Sequence, residues 1–287
     1  MNIQYKYAGL FLCPIALGLL LLASCSKENP NHLPSVSPAD YAGKIEGFDS
    51  SAQIAPDHLI AYWSFDGTEA EAISGTAPTA TSNADIVDNG VTGKALQLNG
   101  GYLYYATQFA AFDSLSFKSF TISEWVQIQN NGSTPTLTFT IARPGQFWGD
   151  INFLLETGQH PASDLSKLVV HPDFSAIGGG TQDNLNTTIF PAIVPGEWKH
   201  LVITYDRSTS VFQIWDNGIK IGTPAYQNRG TAYFNCFMPN EVIIGGWYNN
   251  IPGKTVSADT WTVPMVGKID EIRVYDEALG DADIIAL

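Results

Sequence analysis

From His58 to Tyr275 the apolar residues recur at a spacing of two, a pattern that a pleated strand can bury on one face and a helix cannot. Leu59, Ala61, Trp63 and Phe65 alternate with Ile60, Tyr62 and Ser64. Phe120, Ile122, Val126 and Ile128 share one side of a second segment, with Thr121, Ser123 and Gln127 opposite. Further strands are predicted over His200 to Tyr205, Glu241 to Gly245 and Lys268 to Tyr275. Val211 to Trp215 and Ile219 to Ile221 flank Asp216-Asn217-Gly218. Asn-Gly between apolar runs predicts a tight hairpin, because both turn positions take positive φ. Short strands set off by Gly, Pro and Asn clusters predict an all-β antiparallel sandwich rather than a βαβ fold. Only the last seven residues look helical, with Asp281 placed to cap them.

A chain of 287 residues is long enough for one large β domain. Its 45% hydrophobic and 12% aromatic content supplies a sizeable core. The formal net charge of −14 argues against nucleic acid and against anionic lipid as partners. Of the three cysteines, Cys13 and Cys25 lie near the start. Cys236 is then left alone, so no intrachain disulfide can form in the mature domain. Between Asn235 and Phe237 it is read as a buried, inert thiol.

The first 24 residues have the form of an export signal. Lys6 supplies the charge, and Tyr7 to Ser24 carries none. At roughly 18 residues, interrupted by Pro14, the run is short for a membrane span. Leu22-Ala23-Ser24-Cys25 resembles the lipobox of bacterial lipoproteins. That resemblance implies that Cys25 is lipidated and becomes the new N-terminus, so the membrane is reached through the lipid anchor alone. Lys27-Glu28 resembles the surface-export signal of Bacteroidetes lipoproteins. It implies a place in the cell envelope, at the outer membrane and facing outward, with an outer-membrane protein as a candidate partner. Loss of the leader removes only Lys6 among the charged residues, leaving 13 basic against 28 acidic, a formal −15. Residues 25–57, with Pro30, Pro34, Pro38 and Pro56, are read as a flexible tether with a reach of roughly 30 Å. Residues 58–287 are the expected folded domain.

Four stretches of that domain resemble the laminin-G-like branch of the concanavalin-A-like lectin/glucanase superfamily. The first is Leu59-Ile60-Ala61-Tyr62-Trp63-Ser64-Phe65-Asp66-Gly67. The second is Gly93-Lys94-Ala95-Leu96-Gln97-Leu98-Asn99-Gly100, followed by Phe120 to Val126. The third runs from Gly196-Glu197-Trp198 to Asp206 and on to Trp215-Asp216-Asn217-Gly218. The fourth is Gly267 to Tyr275, then Ala278-Leu279. The resemblance implies a jelly-roll sandwich of two curved sheets with its first and last strands side by side. It assigns Trp63, Trp125 and Trp198 to packing. The chain departs from the family pattern at Glu124, where a small apolar residue is usual, and in the long stretch from Trp247 to Pro264.

Asp66 and Asp270 are the candidate metal ligands. On a regular last strand Asp270 shares a face with Ile272 and Val274, where a lone carboxylate needs a partner. The resemblance implies a structural calcium near the paired terminal strands, and calcium accepts carboxylates and carbonyls. The alternatives are backbone amides, Arg273, or a bulge that turns Asp270 outward. Glu124 falls in step with Phe120, Ile122, Val126 and Ile128, so a core face there would bury an acid of raised pKa. It is the single weak catalytic candidate, as a proton donor. A glycosidase needs a second carboxylate, and none is evident. No Gly-x-Ser-x-Gly elbow or His-Glu-x-x-His motif is present, and Gly178-Gly179-Gly180 lacks the Lys of a phosphate loop. His32, His160 and His171 form no ligand spacing.

The aromatic loops point to sugar. Trp148, Trp247, Tyr248, Asn249 and Trp261 are the candidate ligand contacts, since flat rings beside amides suit the apolar faces and polar edges of carbohydrate. The competing role for these rings is to pin loops onto the sandwich. The expected function is a membrane-anchored, non-catalytic carbohydrate-binding or adhesive module that takes an oligosaccharide or polysaccharide. Two alternatives stand beside it: a glycan hydrolase or lyase working on the concave face with Glu124, and a structural protein-binding module.

Overall fold

A computed structural model describes residues 43–113, 115–128, 135–156, 163, 168–186 and 196–287. Cys25, the leader, most of the tether, His32 and His160 lie outside the described residues. The first seven strands are β1 (Leu59–Trp63), β2 (Ala80–Asp88), β3 (Lys94–Tyr105), β4 (Phe120–Ile128), β5 (Thr136–Ala142), β6 (Ile151–Glu156) and β7 (Val169–Val170). The rest are β8 (Asp173–Ser175), β9 (Thr181–Asp183), β10 (Lys199–Asp206), β11 (Val211–Asp216), β12 (Ile219–Ile221), β13 (Glu241–Ile244) and β14 (Met265–Tyr275). Two short α-helices, α1 (Pro224–Gln227) and α2 (Asp281–Ala286), and three single 3-10 turns accompany the strands.

The strands join in one antiparallel ladder, ordered β12-β11-β10-β4-β14-β3-β13-β5-β6-β8-β9, with β1 on β14, β2 on β3 and β7 on β6. This ladder curls back on itself. The rings of Phe120 on β4 and Phe174 on β8 lie 6.2 Å apart, although five strands separate them in the ladder. Trp63 on β1 meets Phe139 on β5 in the same way, at 5.6 Å. Two arms of the sheet therefore face each other across one apolar core, the sandwich arrangement. The expected neighbours at the termini are paired: Leu59 opposes Tyr275 and Trp63 opposes Ile272.

The Asn-Gly hairpin forms as its sequence requires. Asn217 and Gly218 take φ of 48° and 76° between β11 and β12. On β14 the register shifts between Asp270 and Arg273, and Glu271 takes a φ of 53°. This bulge breaks the alternation expected of a regular strand. Ile269, Ile272 and Val274 all enter the core, while Asp270 leaves their face and stands opposite Trp125.

Residues 43–57 belong to the same compact unit as the strands, which runs from Gly43 to Leu287. Ile54 is only 1% exposed and packs with Val202, Trp215, Tyr275 and Ile284 on the outer face of one arm. Arg273 Nη2 donates to Ser51 Oγ at 2.9 Å. A lone isoleucine among Ala and Pro carries no period, so the sequence reads as tether. The C-terminal helix lies over the same patch through Ile284. Its N-cap is Gly280, one residue before the expected Asp281.

Candidate functional site

Four aromatic side chains from two loops, β5–β6 and β13–β14, meet outside β5 and β6. Trp247 is 1% exposed and rests on Leu137 and Leu154. Phe147 stacks on it at 4.8 Å and 26°. Trp148 and Trp261 meet it edge-on, each at 5.4 Å. Trp247 is thus a buried pedestal, and Phe147, Trp148 and Trp261 are the partly exposed rings that it carries. Its indole is sealed off, so it cannot touch a ligand, contrary to the sequence expectation.

Tyr248 and Asn249 also have other work. Tyr248 is 4% exposed, and its hydroxyl donates to Glu241 Oε2 at 2.5 Å, beside that of Tyr104 at 2.8 Å. Asn249 ties its own loop: its amide donates to the Ser257 and Asp259 carbonyls, and its oxygen accepts from the Val256 and Ser257 amides. Of the five ring and amide candidates, Trp148, Trp261 and Asn249 keep surface, and Asn249 spends its amide on its own loop.

Trp148 and Phe147 border a shallow cleft of about 240 Å³, closed by Arg143, Gln146, Ser175, Gly180 and Thr181. A second hollow of about 190 Å³ adjoins it and shares Arg143 and Gln146, with Phe237, Met238 and the prolines 144 and 239 around it. Small open volumes suit a ligand that lays one face on protein and keeps the other in water; enclosed small-molecule sites run to ~300–1,000 Å³. A larger groove of about 280 Å³ lies between β10–β12 and α2. Its one tryptophan, Trp215, is 4% exposed and capped by Lys220 at 4.7 Å, so it offers no open ring.

Glu124 is fully buried between the two arms. Thr138 Oγ1 donates to its Oε1 at 2.5 Å, and Oε2 has no hydrogen-bond partner. Burial, opposed by the Thr138 bond, pushes its pKa up to about 8. It faces the apolar core and not a concave ligand surface.

Asp66 and Asp270 converge on the hairpin between β2 and β3. Asp66 Oδ1 accepts from Lys94 N at 2.8 Å. Asp270 Oδ2 accepts from Val91 N at 2.7 Å and Thr92 N at 3.3 Å, and its Oδ1 from Glu271 N at 2.9 Å. A Cβ at Gly93 would sit 2.1 Å from Asp66 Oδ1, and one at Gly90 2.6 Å from Asp270 Oδ2. The two acids clamp a turn that only glycine lets approach so closely. Among the described residues no group of three or more His, Cys, Asp or Glu side chains is arranged to hold a metal.

Sequence reasoning missed the polar residues beneath the cleft. Asp150 is buried behind Arg143, whose Nε lies 3.6 Å from its Oδ1. Cys236 Sγ is 3.4 Å from Asp150 Oδ2, and burial pushes the thiol well above its ordinary pKa. Asp173 and Asp183 face each other across β8 and β9, two pairs along from Ser175 and Thr181. Burial raises Asp173 to about 7, while the bond from His171 lowers Asp183. His171 bridges Asp183 at 3.1 Å and Glu156 at 2.9 Å; burial pulls its pKa down, but these bonds outweigh it and lift it to about 9. These acids lie on strands too short to carry a period, which is why no pairing was evident in the sequence.

Residues 99–285 match the Laminin_G_3 family model of the concanavalin A-like lectin/glucanases superfamily, and the chain belongs to that family. No curated protein matches the sequence. Among solved structures it is similar to the binding domain of Paraclostridial Mosquitocidal Protein 1, at 15% identity and a TM-score of 0.54, over 80% of this chain and 51% of that one. It is also similar to Trypanosoma rangeli sialidase in complex with 2,3-difluorosialic acid, at 14% identity and 0.54, over 91% and 36%. The botulinum neurotoxin serotype D ligand-binding domain in complex with N-acetylneuraminic acid matches at 10% and 0.50, over 82% and 51%. The chain spans about half of each toxin domain and about a third of the sialidase. At these identities the likeness is one of fold.

The buried acid of the core has a measurable consequence. Between pH about 4.5 and about 8 the unfolded chain has released the Glu124 proton and the folded chain keeps it. Stability contributed by this group is therefore full below 4.5, falls as pH rises through the window and levels above 8. Asp150, Asp173 and Asp270, each raised to about 7 with burial as the largest cause, act with the same sign. Glu124→Gln is expected to make the fall in urea-unfolding stability between pH 5 and pH 8 shallower, by on the order of 1 kcal/mol per pH unit. An unchanged slope would contradict the buried, protonated acid.

Proposed function

We propose that the chain is a non-catalytic carbohydrate-binding module whose ligand lies against Phe147 and Trp148. The observation that carries this is a partly exposed indole, fixed on a buried ring, beside a shallow cleft with amide, hydroxyl and guanidinium groups at its edge. Rings held in this way lose little freedom when a sugar stacks on them, which favours binding. Two neighbours of the fold are solved with sialic-acid compounds, in keeping with a glycan ligand. Trp148→Ala is expected to abolish oligosaccharide binding in calorimetry or on a glycan array while leaving the far-ultraviolet spectrum and melting temperature close to wild type. Retained affinity would remove the cleft from the site.

One observation favours a second reading, a glycan hydrolase. The facing pair Asp173 and Asp183 splits into a raised and a lowered carboxyl, as acid and base groups of glycosidases do. Asp173 is only 5% exposed and already accepts from Asn152 at 2.7 Å, so binding remains the first reading. New reducing ends appearing in a polysaccharide over time would reverse that order.

The proposal includes the anchor: Cys25 carries acyl chains, and the domain stands in the cell envelope at the outer membrane, facing outward. Labelled palmitate is expected in the wild-type chain and absent after Cys25→Ser, which should also leave the membrane fraction. Acylation that survives the substitution would defeat this part. A structural calcium between Asp66 and Asp270 is proposed as a supplement to the amide clamp, with its other ligands from carbonyls and water. Chelator should then lower the melting temperature by several degrees, as a ligand bound to the native state requires. A melt that ignores chelator assigns both acids to the hairpin alone.

A further inference from the structure

The cleft beside Trp148 and the hollow adjoining it share one charged lining residue, Arg143. A cation at that point is notable in a chain with a net charge of −14. The guanidinium is held in a fixed plane, its Cζ 4.2 Å above the ring of Phe237. Its contacts with acceptors are weak. Nε lies 3.6 Å from Asp150 Oδ1, beyond hydrogen-bonding range, and that oxygen has no hydrogen-bond partner although Asp150 is fully buried. Nη1 lies 3.5 Å from Ser175 Oγ, at the limit. The side chain is 28% exposed. Asp150 thus pairs with the Nε edge at ion-pair range only, and among the described residues no carboxylate lies on the Nη groups of this cleft-lining side chain.

From this geometry we infer that the cleft is specific for an anionic sugar, with the sugar ring on Phe147 and Trp148 and its acidic group on the Arg143 fork. The inference rests on the glycan-binding reading of the same cleft. A planar carboxylate matches two parallel N–H groups, and such charge-assisted pairs are shorter and stronger than neutral ones. A neutral sugar would leave the fork half-satisfied and lose that contribution. Gln146 and Thr181 are placed at the rim for the remaining hydroxyls. A lysine at position 143 would keep the charge and lose the planar fork, so the two basic residues are not equivalent here.

The test uses the whole protein and three trisaccharides in calorimetry at one ionic strength: trigalacturonic acid, its carboxyl-reduced neutral form, and a sulfated galactotriose. Wild type is expected to bind an anionic trisaccharide about tenfold more tightly than the neutral one, the scale of one charge-assisted contact. The better of the two anionic ligands identifies the acidic group as carboxylate or sulfate. Arg143→Lys should weaken the anionic ligand by about tenfold and leave the neutral one within about twofold. The wild-type comparison stands even if the variant folds poorly. Equal affinity for all three sugars would overturn the anionic specificity and leave the glycan reading intact. No binding by any of them would overturn both.

Discussion

Eleven residues, Met265–Tyr275, hydrogen-bond to β4 along one edge and to β1 and β3 along the other. This strand is the seam from which the two arms of the sheet extend. Its bulge at Asp270–Arg273 decides which side chains enter the core. A regular strand would send Ile269 and Ile272 to opposite faces; the extra residue sends both inward and turns Asp270 toward the β2–β3 hairpin. The same irregularity that packs the core therefore creates the acid clamp on Val91 and Thr92. Removing Asp270 from the apolar face converts a costly lone carboxylate into an acceptor of backbone amides.

With the arms closed, loops and termini pack on the outer faces of the sheet. One outer face is covered by α2 and by the segment from Gly43 to Asp57, through Ile284 and Ile54. The other carries Leu137 and Leu154, an apolar patch that seats Trp247. Once Trp247 is buried there, its neighbours Phe147, Trp148 and Trp261 are held at fixed angles in the surface. Preorganised rings and a stacked guanidinium need little ordering when a ligand arrives. The cleft is thus a by-product of how one loop residue was packed.

Much of the scaffold was legible in the sequence. β1, β4, β10, β11, β12 and β13 form where the sequence predicts strands, β14 does so apart from its bulge, and the Asn217-Gly218 turn follows from the φ values it needs. β2 was not, because Ser82, Asn83, Asp85 and Asp88 give it a polar composition poor in strand formers. β7, β8 and β9 are two or three residues long, below the length at which periodicity exists. Ile54 docked without any pattern to announce it. At the candidate cleft, residue type pointed to the loops whose rings gather there but not to which of those rings stay exposed. Aromatic residues serve both packing and binding, and only burial separates Trp247 and Tyr248 from Trp148 and Trp261. Arg143 lay four residues before Phe147 with no motif around it, so its role emerges only when Phe237 and Asp150 are brought beside it.

The seven tryptophans report on this account directly. In a titration with oligosaccharide followed by the indole N–H resonances, Trp148 should shift first and furthest, Trp261 less, and buried Trp63 and Trp215 not at all. Shifts confined to Trp215, with Trp148 unmoved at saturation, would place the ligand in the groove under α2 and contradict the cleft.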